Sequence, residues 1–140
     1  MTHATERRTS PRYVNPSTLA KPSGYSNGVA YGGGGGAVFL AGQIGWDAEG
    51  RMVSGRFADQ FDQALANLLA VVADAGGSPE SVGKLTIYVL DCDEYRAARA
   101  EIGERYRRRM GRHYPAMTLV EVRALVEPDA RVEIEGIAWL

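Results

Sequence analysis

Three features of this 140-residue chain have residue types and spacings that could carry chemistry. The first is the run of five glycines from Gly32 to Gly36, which invites phosphate binding. A phosphate loop needs a Gly-Lys-Ser/Thr ending and a helix N-terminus behind it to supply donors and charge. No lysine follows here and the run leads into a β-rich stretch, so it reads as a hairpin loop. The second is Arg107-Arg108-Arg109 with Arg105 and Arg112, a possible nucleic-acid patch. Three adjacent helical residues point in three directions, Glu101 and Glu104 lie nearby, and arginines suit a helix C-terminus. These arginines therefore read as a solvated helix end. The third is the pair of carboxylates in Val132-Glu133-Ile134-Glu135-Gly136-Ile137-Ala138, which follows Tyr114-Pro115-Ala116-Met117-Thr118-Leu119-Val120-Glu121-Val122. On spacing alone both segments are strands with a polar outer face, and Glu133 or Glu135 taken singly reads as an exposed carboxylate.

Other chemistries find no support. His3, His113 and Cys92 form no cluster at metal-ligand spacing. Cys92 lies between Asp91 and Asp93 and lacks the electropositive surroundings that activate a thiol. No Gly-x-Ser-x-Gly elbow occurs. A net charge of −1 gives no excess of cations to drive sequence-independent nucleic-acid binding. One cysteine allows no internal disulfide, no run of about 18 apolar residues could span a bilayer, and no apolar segment follows the basic N-terminus. The expected address is the cytoplasm, with no membrane partner.

The elements that must position these residues follow from periodicity. Residues 1–22, with Pro11, Pro16 and Pro22, read as a mobile arm, and 23–140 as one domain. Val29 to Tyr31 and Ala37 to Ala41 read as a hairpin across the glycines. Phe57, Phe61, Leu65, Leu68 and Val72 make one apolar helical stripe that ends at Gly76-Gly77. Lys84 to Leu90 is a strand. A second helix spans about Asp93 to Met110, with Tyr95, Ala98, Ile102 and Tyr106 inward and Glu101–Arg105 and Glu104–Arg108 as i,i+4 pairs. Strands at Ala116 to Val126 and Arg131 to Leu140 flank a turn at Pro128-Asp129. The order ββ-α-β-α-ββ predicts an α/β (α+β) domain with a mixed sheet, both helices on one face and the other face needing cover from a partner subunit.

Pro115-Ala116-x-x-x-Val120-Glu121-Val122 followed by Val132-Glu133-Ile134-Glu135-x-Ile137-Ala138 closely resembles the C-terminal signature of the Rid/YjgF (reactive intermediate deaminase) family. Tyr25-Ser26-Asn27 resembles that family's Pro-Tyr-Ser-Gln, and Ala41-Gly42-Gln43-Ile44 its Ser-Gly-Gln-Ile. Gln63-Ala64-Leu65-x-Asn67-Leu68, Ala75-Gly76-Gly77 and Lys84-Leu85-Thr86-Ile87-Tyr88-Val89 match its first helix and middle strand, so the likeness runs from about Ser23 to Leu140. It implies a chorismate-mutase-like fold with the last strand central, a homotrimer, and small-molecule sites in clefts between subunits. It implies cofactor-independent hydrolysis of reactive enamines and imines, typically 2-aminoacrylate and 2-aminocrotonate, to a carbonyl compound and ammonia. An arginine clamps the substrate carboxylate, and a glutamate positions or activates water.

Carried across residue by residue, the glutamate is Glu133, the tyrosine at the cleft edge is Tyr25 and the glycine is Gly42. The arginine is replaced by Met117, the following residue is Thr118, a frequent cysteine is Leu119, and the serine before Gly42 is Ala41. Apolar groups thus stand where a cation, a thiol and a hydroxyl are expected, and losing such a clamp costs on the order of 3 kcal/mol. Arg123, six residues along the strand, is about 20 Å from Met117 and cannot replace it within one chain. Arg12, Arg51 and Arg56 are the candidates to reach in. The expected activity is hydrolysis of an enamine or imine that lacks the usual α-carboxylate or binds in another orientation. The alternative is a non-catalytic small-molecule-binding or regulatory trimer.

Overall fold

A computed structural model describes residues 10–32 and 35–140. The apolar stripe of the first helical segment becomes α1 (Phe57–Asp74), and Phe57, Phe61, Leu65, Leu68 and Val72 are all buried. Each such side chain contributes roughly 1.5–3 kcal/mol of hydrophobic burial. The chain then continues through a 3₁₀ turn at Pro79–Ser81, α2 (Cys92–Ala97) and α3 (Arg99–Met110). The expected second helix is thus two helices, broken at Ala98, where ψ rises to 4°. Tyr95 and Ala98 pack at the edge of the core, while Ile102 and Tyr106 are buried in it.

Six strands form one sheet: β1 (Arg12–Val14), β2 (Gly28–Tyr31), β3 (Ala37–Gln43), β4 (Val82–Val89), β5 (Ala116–Glu121) and β6 (Val132–Trp139). Their order is β1-β2-β3-β6-β4-β5, with β4 and β5 parallel and every other pair antiparallel. The last strand is central, as the family resemblance implied. Its alternation explains why: Val132, Ile134, Gly136 and Ala138 are buried under the helices, and only Glu133, Glu135, Ile137 and Trp139 face the other way. Glu127–Ala130 forms the turn before it, closed by Ala130 N–H donating to Glu127 O at 3.1 Å, with Pro128 at the second position.

Three expectations need correction. The N-terminal arm does not extend to residue 22. Arg12–Val14 is an edge strand against β2, Val14 is buried, and the Arg12 guanidinium donates to Ala75 O at 2.9 Å. Alternation of Tyr13 and Val14 was too short a signal to find a three-residue strand; residues 1–9 lie outside the described residues. The strand expected to reach Val126 stops at Glu121, because β4, its only partner among the described residues, ends at Val89. The expected five strands are six.

α1 and α3 cover one face of the sheet. They clasp through Arg105 with Asp59 at 2.8 Å and Arg109 with Asp62 at 2.6 Å, while Arg108 pairs with Glu104. Exposed pairs of this kind contribute about 0.2–1 kcal/mol each. They occupy three of the arginines considered as a nucleic-acid patch. His113 is also in structural use, with Nε2 2.6 Å from Val82 O. Among the described residues no three His, Cys, Asp or Glu side chains gather as metal ligands, and no helix is long and apolar enough to cross a membrane. The opposite face of the sheet leaves Phe39, Ile137 and Trp139 exposed.

Two buried amides on α1 hold down the loops. Gln60 donates to Ser54 O and Asp129 O and accepts from Arg131 N–H at 2.8 Å. Asn67 donates to Ile44 O and Trp46 O. Truncating Gln60→Ala strands three backbone groups, and we expect a loss of about 3 kcal/mol. Urea unfolding should show a lower midpoint at unchanged slope; a shift below about 1 kcal/mol would mean that water replaces the amide.

Candidate active site

The site is built where β3 meets β6. Leu40 pairs with Gly136 and Gln43 with Ile134, so Ala41 and Gly42 together oppose Glu135 in a β-bulge. The bulge brings the backbone of Gly42 against the side chain of Glu133. A Cβ added at Gly42 would collide with Glu133 Oε1 and lie 2.9 Å from its Cδ. The glycine therefore makes room for the glutamate. Behind the bulge, buried Gln43 donates to Asn27 Oδ1 at 3.0 Å, and Asn15 Oδ1 accepts from Asn27 N–H at 2.8 Å. These bonds tie the segment that carries Tyr25 to the strand that carries Gly42.

Tyr25, Ala41, Gly42 and Glu133 line one cleft of about 340 Å³. Ile44 and Trp46 form one apolar wall, and Leu125 and Val126 a second, with Glu127 beside them. Those five residues were not found from the sequence; Trp46 in a loop with Asp47, Glu49 and Gly50 was the available signal. No cation lines this cleft among the described residues. Arg12 is held at Ala75, Arg56 pairs with Asp59 and Glu101, and Arg51 is not part of the lining.

The electrostatics separate the two carboxylates. Glu135 accepts a 2.5 Å hydrogen bond from Tyr88 Oη. Glu133 accepts none from the described residues, which leaves its oxygens available to water or ligand. Its pKa is raised, first by burial and then by the charge of Glu135. The Tyr25 phenol is pushed up by burial and by the Glu133 charge, so it stays a hydrogen-bond donor at neutral pH. The arrangement can hold a weakly solvated base beside a phenolic donor.

Met117, Thr118 and Leu119 are not in this cleft within one chain. They lie on β5, two strands away from β6, a separation of about 10 Å. The two-residue period also divides them. Met117 pairs with Leu85 and Leu119 with Ile87, both on the helix-covered face, whereas Thr118 faces the open side and accepts from Lys84 Nζ at 3.1 Å. Within one subunit, Ala41 therefore stands apart from Met117 and Leu119. Met117 instead lines a second cavity, with Tyr95, Tyr106 and Tyr114.

Two outcomes test this geometry. Because the folded pKa of Glu133 exceeds its unfolded value near 4.5, ionising it costs more in the folded chain than in the unfolded one. Glu133→Gln should then raise the thermal midpoint at neutral pH, with the gain fading as pH falls through the folded pKa and gone below the unfolded value. A gain of equal size at pH 4 would rule out burial as its cause. Gly42→Ala should displace the carboxylate, and carbon-13 NMR should show the Glu133 titration moving toward its ordinary range.

The family model described as Endoribonuclease L-PSP matches residues 16–140. A RutC family protein of Pyrococcus abyssi is 35% identical over 121 residues, covering 85% of this chain and 89% of that one. A 2-iminobutanoate/2-iminopropanoate deaminase of Dermatophagoides farinae is 34% identical over 131 residues, covering 91% and 96%. A solved structure of a Rid family protein of unknown function from Yersinia pestis superposes with a TM-score of 0.80 at 27% identity, covering 94% of this chain and 100% of that one. With the family model running over residues 16–140, through the bulge and Glu133, the chain belongs to the Rid/YjgF family.

Proposed function

We propose that the chain is a hydrolase of reactive enamines or imines, releasing a carbonyl compound and ammonia. The observation that carries this reading is Glu133, half-buried against Gly42 beside Tyr25, with its pKa raised and no hydrogen bond from the described residues. Glu133 takes a proton from water as the water oxygen adds to the imine carbon. That proton returns to the nitrogen to give the carbinolamine; Glu133 then takes the hydroxyl proton as the C=O bond forms and passes it to the nitrogen as the C–N bond breaks, so that both protons of the water leave on ammonia. Tyr25 orients the substrate as a donor. A raised pKa strengthens the base, and general-base catalysis contributes roughly 10²–10⁴-fold.

The substrate differs from 2-aminoacrylate and 2-aminocrotonate. Ile44, Trp46, Leu125 and Val126 offer an apolar wall, and among the described residues the cleft holds no cation to meet a carboxylate. It suits an imine with a larger apolar body, either without an α-carboxylate or held in another orientation. We further propose a homotrimer in which β5 of one subunit lies along the cleft of the next, so that Met117, Thr118 and Leu119 complete the site. The exposed Phe39, Ile137 and Trp139 and the unpaired edge of β5 support that arrangement.

The second reading is a small-molecule-binding or regulatory trimer without turnover, favoured by the same absence of a cation. The two are separated by generating imines in place, 2-aminocrotonate with a threonine dehydratase and bulkier imines with amino-acid and amine oxidases, and following carbonyl release. We expect the bulkier imines to be accelerated more than 2-aminocrotonate, and Glu133→Gln to lose at least about a hundredfold. Saturable binding with no acceleration of any imine would select the binding trimer.

A further inference from the structure

The cleft at Glu133 is negative and aromatic at once. Glu127 and Glu133 both line it, Trp46 and Tyr25 stand beside them, and no cation does so among the described residues. Carboxylates elsewhere in the chain are engaged. Asp59, Asp62, Glu94, Glu101 and Glu104 pair with arginines, and Glu135 accepts from Tyr88. Glu127 and Glu133 pair with no cation and accept no hydrogen bond from the described residues. Glu133 is partly buried and Glu127 exposed, so one carboxylate lies within the cleft and the other at its rim.

Both rim groups stand on fixed backbone. Asn67 donates to Trp46 O at 2.9 Å, and Trp46 forms a β-bridge with Met52. The turn that begins at Glu127 is closed by Ala130 N–H and tied to α1 by Gln60, which donates to Asp129 O at 3.1 Å. A wall held in place before binding costs little ordering when the ligand arrives. Two carboxylates without cations give the cleft a negative field, and the face of an indole attracts the same sign of ligand. In the trimer, the neighbouring β5 brings Met117, Thr118 and Leu119, none of which carries charge.

We propose that the cleft selects a substrate with a second, cationic nitrogen, an ammonium or quaternary ammonium remote from its C=N group. Trp46 and Glu127 hold that cation, which leaves Glu133 to the water. The cleft volume of about 340 Å³ falls within the usual range for small-molecule sites and has room for the reacting group and a charged head together. As substrate recognition this inference rests on the imine-hydrolase reading; as a charge preference of the cleft it stands without it.

Three ligands of one shape and different charge test it, titrated calorimetrically into the full chain: choline, 3,3-dimethylbutan-1-ol and 3,3-dimethylbutanoate. We expect choline to bind at least about tenfold more tightly than the neutral alcohol and the carboxylate to bind weakest, with the choline affinity falling as salt is added. Glu127→Gln and Trp46→Leu should each weaken choline about fivefold, and Trp46→Phe should recover part of the loss. Glu127→Gln should leave the alcohol and the unfolding midpoint where they were, because the side chain it replaces is exposed. Equal binding of the three ligands, a preference for the carboxylate, choline binding indifferent to Glu127→Gln, or no binding at about 10 mM choline would each overturn the proposal. Turnover is read separately. Choline bound as expected with no imine hydrolysed refutes the hydrolase and leaves the charge preference, whereas imines hydrolysed with choline held no more tightly than the alcohol does the reverse.

Discussion

One contact governs the site: a carboxylate laid on a strand that has no side chain to oppose it. Glu133 and Gly42 sit on neighbouring strands, and the bulge at Ala41–Gly42 turns the backbone so that the two meet. Packing a charge against backbone removes part of its water without replacing it by donors, which is why the pKa of Glu133 rises. Glu135, two residues on and on the same face, has a different fate because Tyr88 reaches it. One register shift and one phenol thus leave identical side chains in different surroundings.

The helices contribute to that contact from behind. Gln60 and Asn67 spend their amides on loop backbone, and those loops carry Trp46 on one side and lead into β6 on the other. Both amides are buried, where an unmade bond is costly. The apolar stripe of α1 fixes the helix on the sheet, and its polar positions fix the cleft walls on the helix. Stability and site geometry therefore share the same element.

Much of this was readable in the chain. The steps from Phe57 to Val72 gave a helix because five large apolar groups can be buried together only at that period. The alternation from Val132 to Ala138 gave a strand with its carboxylates on one face. The grouping of Tyr25, Ala41, Gly42 and Glu133 came from resemblance, and the four do line one cleft. The side taken by Met117 was not readable. Both faces of its segment carry apolar residues, so nothing in the pattern said which face met the helices. The three-residue β1 and the break at Ala98 were too local to leave a period.

The place of β6 has a consequence for how the molecule is made. Phe39 pairs with Ile137 and Lys84 pairs with the same residue from the other side. Until that strand arrives, β3 and β4 are each an open edge, and the sheet exists as two separate pieces. Closing them requires the chain to bring together segments far apart in sequence, which slows folding and lengthens the life of those edges. At high concentration the same strand from another copy can fill the gap equally well, so strand exchange between nascent molecules is the misassembly to which this topology is most open.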